Sequence, residues 1–157
     1  MSSRAGCSTR CLFDSDAHRH SDIDVERALR LWAPVAAYMA AIFYVSSLSQ
    51  PVVPPGGDKP WHLLAYLGLG ALTLRAVAGG LGAWISWRAA AVATGIAVGY
   101  AVTDEFHQMF VPGRSAQFSD LLADAMGVVV GASLCWVWGF VAGQRPEATA
   151  SRDDELI

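Results

Sequence analysis

The segment 100–131, YAVTDEFHQMFVPGRSAQFSDLLADAMGVVVG, contains four carboxylates, one histidine and one arginine. An apolar run near the length that crosses a bilayer, about 20 residues, lies on either side of these polar residues. Ionisable residues at or inside a membrane are energetically costly, so they mark functional sites by default. The segment therefore predicts a polar site that is built into a membrane protein.

The composition of the whole chain agrees with this class of protein. Hydrophobic residues make up 54% of the 157 residues and charged residues only 16%, whereas soluble domains carry about 25% charged residues. The apolar residues fall into four blocks, so we expect an all-α fold, an integral membrane bundle of four transmembrane helices. The net charge of −3 provides no basic surface, and nucleic acid is excluded as an expected partner.

The chain divides into three regions by composition. Residues 1–28 are predicted to be a mostly disordered polar tail, because they cannot bury enough apolar surface to offset the entropy of folding. Residues 29–143 hold the four apolar blocks and form the predicted membrane domain, and residues 144–157 form a polar C-terminal tail. The first tail also holds two cysteines and two histidines at a spacing that fits no common zinc finger: Cys7, Cys11, His18 and His20.

Turn-forming residues separate the predicted transmembrane helices. Pro34 lies in the expected first turn of span 1, where proline is tolerated. Pro112 and Gly113 predict a turn after span 3, and Ser119 is the expected N-cap of span 4. Span 1 is predicted at residues 31–48 and span 4 at residues 119–141. Span 2 ends at residue 78 and begins at residue 58 or 61, and span 3 begins at residue 84 and ends between residues 103 and 109.

The distribution of basic residues predicts the orientation. With the N-terminus in the cytoplasm, nine arginines lie in cytoplasmic segments, and only Lys59 and Arg114 lie in the outer loops. Cytoplasmic loops of membrane proteins carry the excess of lysine and arginine. We therefore expect both termini to be cytoplasmic and the polar site to be at the extracytoplasmic face.

Polar side chains recur at helical spacing on three of the predicted spans. Residues three or four apart share one face of a helix, and lipid cannot satisfy such groups, so these stripes should face the bundle interior. Antiparallel packing would bring the stripes together at the outer end. They are Asp58, His62 and Tyr66 on span 2; Tyr100, Asp104, His107 and Gln108 on span 3; and Asp120, Asp124, Gly127 and Gly131 on span 4.

The candidate site residues come from these stripes and the loops beside them. Five carboxylates face only two fixed cations, so some carboxyl groups must be protonated or metal-bound. The candidates for catalysis are Asp58, His62, Asp104 and Glu105. The candidates for binding are Lys59, Gln108, Arg114, Ser115, Asp120 and Asp124.

Three interpretations of this cluster stay open. The first is a buried network of ion pairs and hydrogen bonds that fixes helix packing. The second is a site in which His62, His107 and the carboxylates hold Zn²⁺ or Mg²⁺, or in which a carboxylate–histidine pair acts as a general base. The third is recognition of a polar head group at the outer leaflet, with Arg114 binding an anion. No reaction-specific motif, such as HExxH or GxSxG, occurs in the sequence.

Five motifs occur in order between residues 41 and 131. They are IFYVSSLSQP at 42–51, DKxxH (Asp58, Lys59, His62) followed by Tyr66, DExxQ (Asp104, Glu105, Gln108), FVPGRSA at 110–116, and Asp120-x-x-x-Asp124-x-x-Gly127-x-x-x-Gly131. This ordered set resembles the VanZ-like family of small bacterial membrane proteins.

The resemblance implies a multi-pass protein of the bacterial inner membrane. The namesake of the family is associated with low-level resistance to the glycopeptide teicoplanin, so the resemblance implies a role in glycopeptide susceptibility or envelope metabolism. The expected partners are the lipid bilayer and an envelope lipid or glycopeptide-related ligand. The sequence identifies no cofactor, and a divalent metal is the candidate. Within the site, we expect Asp104 and Glu105 to form the polar centre, His62 to relay a proton or hold a ligand, and Arg114 to bind an anionic group.

Other functions are compatible with the same residues. The main alternative is a membrane-embedded hydrolase or transferase that acts on a lipid-linked or phosphorylated envelope substrate. A small transporter with carboxylates that accept protons and a purely structural partner protein are further alternatives.

Overall fold

The computed structural model describes residues 8–49, 57–81 and 85–143, with side chains described for 24–49, 57–81 and 85–141. These residues form helices only, which confirms the predicted all-α class. The helices are α1 (Ser8–Ser46), α2 (Lys59–Val77), α3 (Trp87–Gln108) and α4 (Phe118–Gly143).

The ends of the last three helices lie close to the predicted ends. The turn predicted after span 3 is present, and Gly113 has a φ of 82°, which is a left-handed conformation that glycine adopts without strain. The prediction that Ser119 is the N-cap of span 4 is wrong, because α4 already begins at Phe118. The Ser119 hydroxyl instead donates to Asp120 Oδ1 at 3.3 Å.

Helix α1 is longer than the predicted first span. It begins at Ser8, so residues 8–28 of the predicted disordered tail are helical in this structure. No glycine or proline occurs between positions 8 and 33, and nothing local therefore interrupts the helix. Pro34 consequently lies in the helix interior and not in the first turn as predicted. The remainder of that tail, the proline-rich turn at 50–56 and the C-terminal tail at 144–157 lie outside the described residues.

Helix α2 is the central element, since its contacts with α1 and α4 are more extensive than those of α3, the other helix that contacts all of its neighbours. Its closest neighbour is α4, where a Cβ atom at Gly127 or Gly131 would overlap the backbone carbonyl of Leu63 or Leu67. The absence of these Cβ atoms lets the two backbones touch. The Gly-x-x-x-Gly spacing in span 4 is typical of such close packing.

The other helices complete the core with apolar side chains. Tyr66 and Leu69 of α2 are buried with Val35 of α1 and Val128 of α4. Helix α3 contributes small side chains at intervals of four residues, all of them fully buried: Ala93, Ala97 and Ala101. Small residues on α3 allow this helix to approach α2 closely as well.

Two of the four helices have the length and hydropathy of membrane spans. They are the segment Asp24–Ser46 of α1 and the segment Phe118–Val141 of α4. Helices α2 and α3 do not reach the same hydropathy within the described residues, because each carries several ionisable side chains. Large apolar side chains such as Leu134 and Val137 on α4 are more than half exposed, which gives the bundle an outer surface suited to lipid.

The contact between α2 and α4 predicts a specific sensitivity to added methyl groups. We expect Gly131→Ala to lower the free energy of unfolding by about 1–3 kcal/mol, the usual cost of overpacking, because its Cβ would meet the Leu67 carbonyl. Gly99→Ala on α3 is the matched control, since a Cβ there meets no atom within 4 Å. Thermal unfolding in detergent measures both variants. Equal stability of the two variants would contradict the close approach of α2 and α4.

Candidate functional site

The polar residues of four helices meet at one end of the bundle. This end holds the C-terminal parts of α1 and α3 and the N-terminal parts of α2 and α4. The Ser46 hydroxyl joins α1 to Asp104 of α3, and His62 of α2 contacts Asp124 of α4. The convergence expected from helical spacing is therefore present, whereas the roles of the individual residues remain predictions.

Asp104 is the buried acceptor between α1 and α3. Its Oδ2 atom accepts hydrogen bonds from Ser46 Oγ at 2.8 Å and from Gln108 Nε2 at 3.2 Å. Its Oδ1 atom is buried and has no hydrogen-bond partner among the described residues. Ser46 was not among the predicted site residues, because a serine in a membrane helix most often bonds to a neighbouring helix in any context. The signal that identifies it is its place in the SSLSQ end of span 1, next to the other motifs.

His62 and Asp124 form a close pair between α2 and α4. His62 Nδ1 lies 2.9 Å from Asp124 Oδ1, and Asp124 has no exposed surface. Glu105 of α3 lies beside this pair, and its Oε2 atom accepts a hydrogen bond from the backbone N–H of Gln117 at 3.1 Å. The second oxygens of both carboxylates, Asp124 Oδ2 and Glu105 Oε1, are buried without a partner in the described part of the chain.

A separate ion-pair group lies nearer the surface. The Lys59 ammonium is 3.1 Å from Asp120 Oδ1 and 3.7 Å from Asp58 Oδ1. The hydrogen bond and the charge of Asp120 raise the pKa of the exposed Lys59 amine above its ordinary value. Lys59 therefore stays protonated at physiological pH, and it balances charge at this outer group.

Arg114 makes two hydrogen bonds that the sequence analysis did not predict. Its Nε atom donates to the carbonyl of Leu48 at 3.2 Å, and its Nη2 atom donates to that of Val45 at 3.3 Å. The Val45 carbonyl lies in the last turn of α1 and the Leu48 carbonyl lies just beyond it, in the region where helices leave acceptors free to bind further donors. Arg114 thus ties the loop after α3 to the end of α1, and it still lines the cavity described below.

Two other residues lie apart from the centre of the site. Ser115 is exposed, and its side chain makes no hydrogen bond to the described residues. His107 stacks on Phe43 with ring centroids 4.3 Å apart, and its Nε2 atom lies 3.0 Å from Ser47 Oγ. His107 therefore faces α1. The metal interpretation had placed His107 and His62 in one group of ligands, but neither group of possible metal ligands among the described residues contains His107.

A cavity of about 370 Å³ opens between α1, α2 and α3 beside these groups. Its walls are mainly apolar and include Ile42, Val45 and Ala65, whereas polar residues line the rest. Two buried polar atoms of lining residues have no hydrogen-bond partner within the described ranges, Tyr66 OH and Asp104 Oδ1. The polar lining consists of Ser46, Asp58, His62, Tyr66, Asp104, Gln108 and Arg114.

Two sets of three side chains have donors suited to a divalent cation. One set lies deeper in the bundle and contains His62, Glu105 and Asp124, and the other lies nearer the surface and contains Asp58, His62 and Asp120. In each set, one ligand atom per residue lies within 4.8 Å of the other two. Imidazole and carboxylate ligands of this kind bind zinc and other transition metals.

A comparison with protein-family profiles supports the family resemblance that the ordered motifs indicate. The family profile described as VanZ/LLP1 matches residues 31–139, which is more than half of the chain. The matched range includes every candidate site residue. Searches of curated proteins and of solved structures gave no significant match.

The contacts of Arg114 generate a stability prediction. We expect Arg114→Ala to lower the free energy of unfolding by about 1–2 kcal/mol, because it leaves two carbonyls at the end of α1 without their charged donor. Ser115→Ala, the neighbouring exposed position, should change stability by less than about 0.5 kcal/mol. Thermal unfolding in detergent compares the two. An Arg114→Ala protein as stable as Ser115→Ala would show that these hydrogen bonds are not formed in the membrane protein.

Proposed function

This chain belongs to the VanZ/LLP1 family, and we propose that it is a multi-pass protein of the bacterial inner membrane that binds the head group of an envelope lipid. Family membership and two apolar helices indicate a membrane protein. In the proposed arrangement all four helices cross the bilayer, both termini are cytoplasmic and the polar site is at the extracytoplasmic face.

The cavity between α1, α2 and α3 carries this proposal. Its apolar walls suit the beginning of an acyl or isoprenoid chain, and its polar end suits a head group. Buried polar atoms are normally hydrogen-bonded, yet Asp104 Oδ1 and Tyr66 OH form no hydrogen bond of normal geometry in the described part of the protein, although the two side chains lie close enough to interact with each other. A ligand that donates to the carboxylate and accepts from the phenol would satisfy both atoms.

The charges around the cavity favour a head group with hydrogen-bond donors. Asp58 and Asp104 are both acceptors when ionised, so they favour hydroxyl or amino groups in the ligand. Arg114 uses only two of its five N–H donors in its bonds to α1. The remaining donors suit a phosphate group. A sugar joined to a lipid through phosphate has this combination of groups.

Such binding accounts for an effect on glycopeptide susceptibility. A protein that holds a lipid-linked envelope molecule at the outer face changes how much of that molecule is accessible there. The proposed role is therefore in envelope metabolism, with altered teicoplanin susceptibility as one consequence.

The second candidate is a membrane-embedded hydrolase or transferase acting on the same class of lipid-linked or phosphorylated substrate. The pair formed by His62 Nδ1 and Asp124 Oδ1, 2.9 Å apart, favours it. A carboxylate that orients a histidine leaves the other ring nitrogen available as a general base, and His62 lines the cavity.

The orientation can be tested by cysteine labelling. In a variant with all three native cysteines replaced by serine, Ser115→Cys should react with an impermeant thiol reagent in intact cells. Ser86→Cys, an exposed position before α3, should react only after the cells are permeabilised. The reverse pattern would contradict the proposed topology.

Head-group binding should depend on the phenol that has no partner. We expect Tyr66→Phe to weaken binding of a lipid-linked saccharide by purified protein up to about 10-fold, the equivalent of one hydrogen bond. Tyr44→Phe is the matched control, because Tyr44 is 67% exposed on the outside of α1. At equal protein abundance, teicoplanin susceptibility of cells should follow the same order.

Two results would contradict this account. One is equal affinity of Tyr66→Phe, Tyr44→Phe and the unaltered protein for the saccharide lipid. The other is chemical conversion of the lipid that His62→Ala abolishes while binding is retained, which would favour the enzymatic candidate.

A further inference from the structure

Three buried side chains from three different helices converge next to the cavity. His62 belongs to α2, Glu105 to α3 and Asp124 to α4, and one ligand atom from each lies within 4.8 Å of the other two. From this arrangement we propose that His62, Glu105 and Asp124 form a binding site for a divalent transition-metal cation such as Zn²⁺. This site is distinct from the head-group contacts of Asp104 and Tyr66, and it does not depend on them.

The unpartnered oxygens of two carboxylates are the observation that points to a ligand. Asp124 is fully buried and Glu105 is 7% exposed, and each has one buried oxygen without a hydrogen-bond partner among the residues described. The other oxygen of each is already fixed, Asp124 Oδ1 by His62 and Glu105 Oε2 by the backbone N–H of Gln117. Both carboxylates are thus oriented by the protein and have acceptor capacity left over.

The charge of the cluster matches a divalent cation. Metal binding requires ionised carboxylates and a neutral imidazole, and in that form the three side chains carry a charge of −2, which is strongly unfavourable inside a protein without a counter-charge. No lysine or arginine forms an ion pair with Glu105 or Asp124 in the described residues. A divalent cation would make the group neutral while binding one nitrogen and at least two oxygens.

The neighbouring set of Asp58, His62 and Asp120 is a poorer site. Lys59 already lies between its carboxylates, 3.1 Å from Asp120 and 3.7 Å from Asp58. A cation there would have to displace the ammonium group. The deeper set has no such competitor, which selects it over the outer one.

The donor set and its spacing suit zinc. Zinc bonds of about 2.0–2.2 Å to nitrogen and oxygen join ligand atoms up to roughly 4 Å apart, so a small inward rotation of the side chains closes the site. Three protein ligands also leave one position of a tetrahedral ion open.

The bound cation would connect the ends of α2, α3 and α4. Each helix supplies one ligand, so the cation stabilises the packed arrangement over any state in which these ends separate. Ligand binding to the native state raises its melting temperature by mass action. Zinc should therefore act as a stabilising ligand of the bundle.

The test is zinc binding by the full chain, purified in detergent without a polyhistidine tag. Cys7→Ser and Cys11→Ser remove the thiols of the N-terminal tail, which could bind zinc independently. After treatment with a chelator, the protein is titrated with Zn²⁺ by calorimetry, its metal content is measured, and its melting temperature is recorded with and without zinc. We expect one zinc ion per chain and a higher melting temperature with zinc.

Matched substitutions distinguish the deeper set from the outer one. We expect Glu105→Gln and Asp124→Asn each to weaken zinc binding by at least roughly 10- to 100-fold. This is the usual loss when a residue that supports a metal ligand is removed, and loss of a ligand itself should cost no less. Asp120→Asn, one turn from Asp124 and equally buried, should keep the affinity of the unsubstituted chain. If Asp124→Asn fails to fold, Glu105→Gln provides the same test. Zinc should raise the melting temperature of Asp120→Asn and leave that of Glu105→Gln unchanged.

Two outcomes would overturn the proposal. One is the absence of zinc binding by the chain with its tail thiols removed. The other is binding that Asp120→Asn abolishes and Glu105→Gln leaves intact. Because no lipid is present in these titrations, either outcome is independent of whether the protein binds a lipid head group.

Discussion

The close approach of α4 to α2 is the contact on which the rest of the structure depends. Without Cβ atoms at Gly127 and Gly131, the α4 backbone lies directly against the carbonyls of Leu63 and Leu67. Asp124 lies three residues before Gly127, and His62 lies one residue before Leu63, so the same contact brings the carboxylate to 2.9 Å from the imidazole. The close contact of α4 with α2 therefore determines both the packing of these helices and the distance between His62 and Asp124.

The other constraint is an excess of buried negative charge over fixed cations. Asp104, Glu105, Asp120 and Asp124 are all nearly or fully buried at the same end of the bundle. Asp120 is balanced by Lys59, and Asp104 is stabilised by the hydrogen bonds of Ser46 and Gln108. Among the described residues, Glu105 and Asp124 have only His62 beside them as a group that can become positively charged, and the proposed cation site rests on this imbalance.

Helical spacing was sufficient to predict several of the polar residues that line the cavity. Asp58, His62 and Tyr66 share one face of α2, and Asp104 and Gln108 share one face of α3, because residues four apart on a helix lie on the same side. The cavity accordingly has most of these residues in its lining. The close-packing role of Gly127 and Gly131 followed from their spacing in the same way.

Other features depend on contacts between distant segments, which a single sequence does not reveal. The Arg114 side chain donates to the carbonyls at the end of α1, 66 and 69 positions earlier in the chain, and no local motif predicts these bonds. His107 shares the α3 stripe by spacing, but stacking on Phe43 draws it toward α1. Helix α1 extends beyond the predicted first span, because residues 8–28 are polar but include no glycine or proline that would end a helix.

The packing of α2 on α4 holds His62 and Asp124 in direct contact inside the bundle. A double-mutant cycle with His62→Gln and Asp124→Asn, measured by unfolding in detergent with a chelator present, tests this contact most directly. We expect a coupling free energy of about 0.5–3 kcal/mol between the two substitutions, as is usual for residues that touch. Additive effects, within about 0.3–0.5 kcal/mol, would mean that the two side chains are not in contact and that the packing of α2 on α4 does not hold them together.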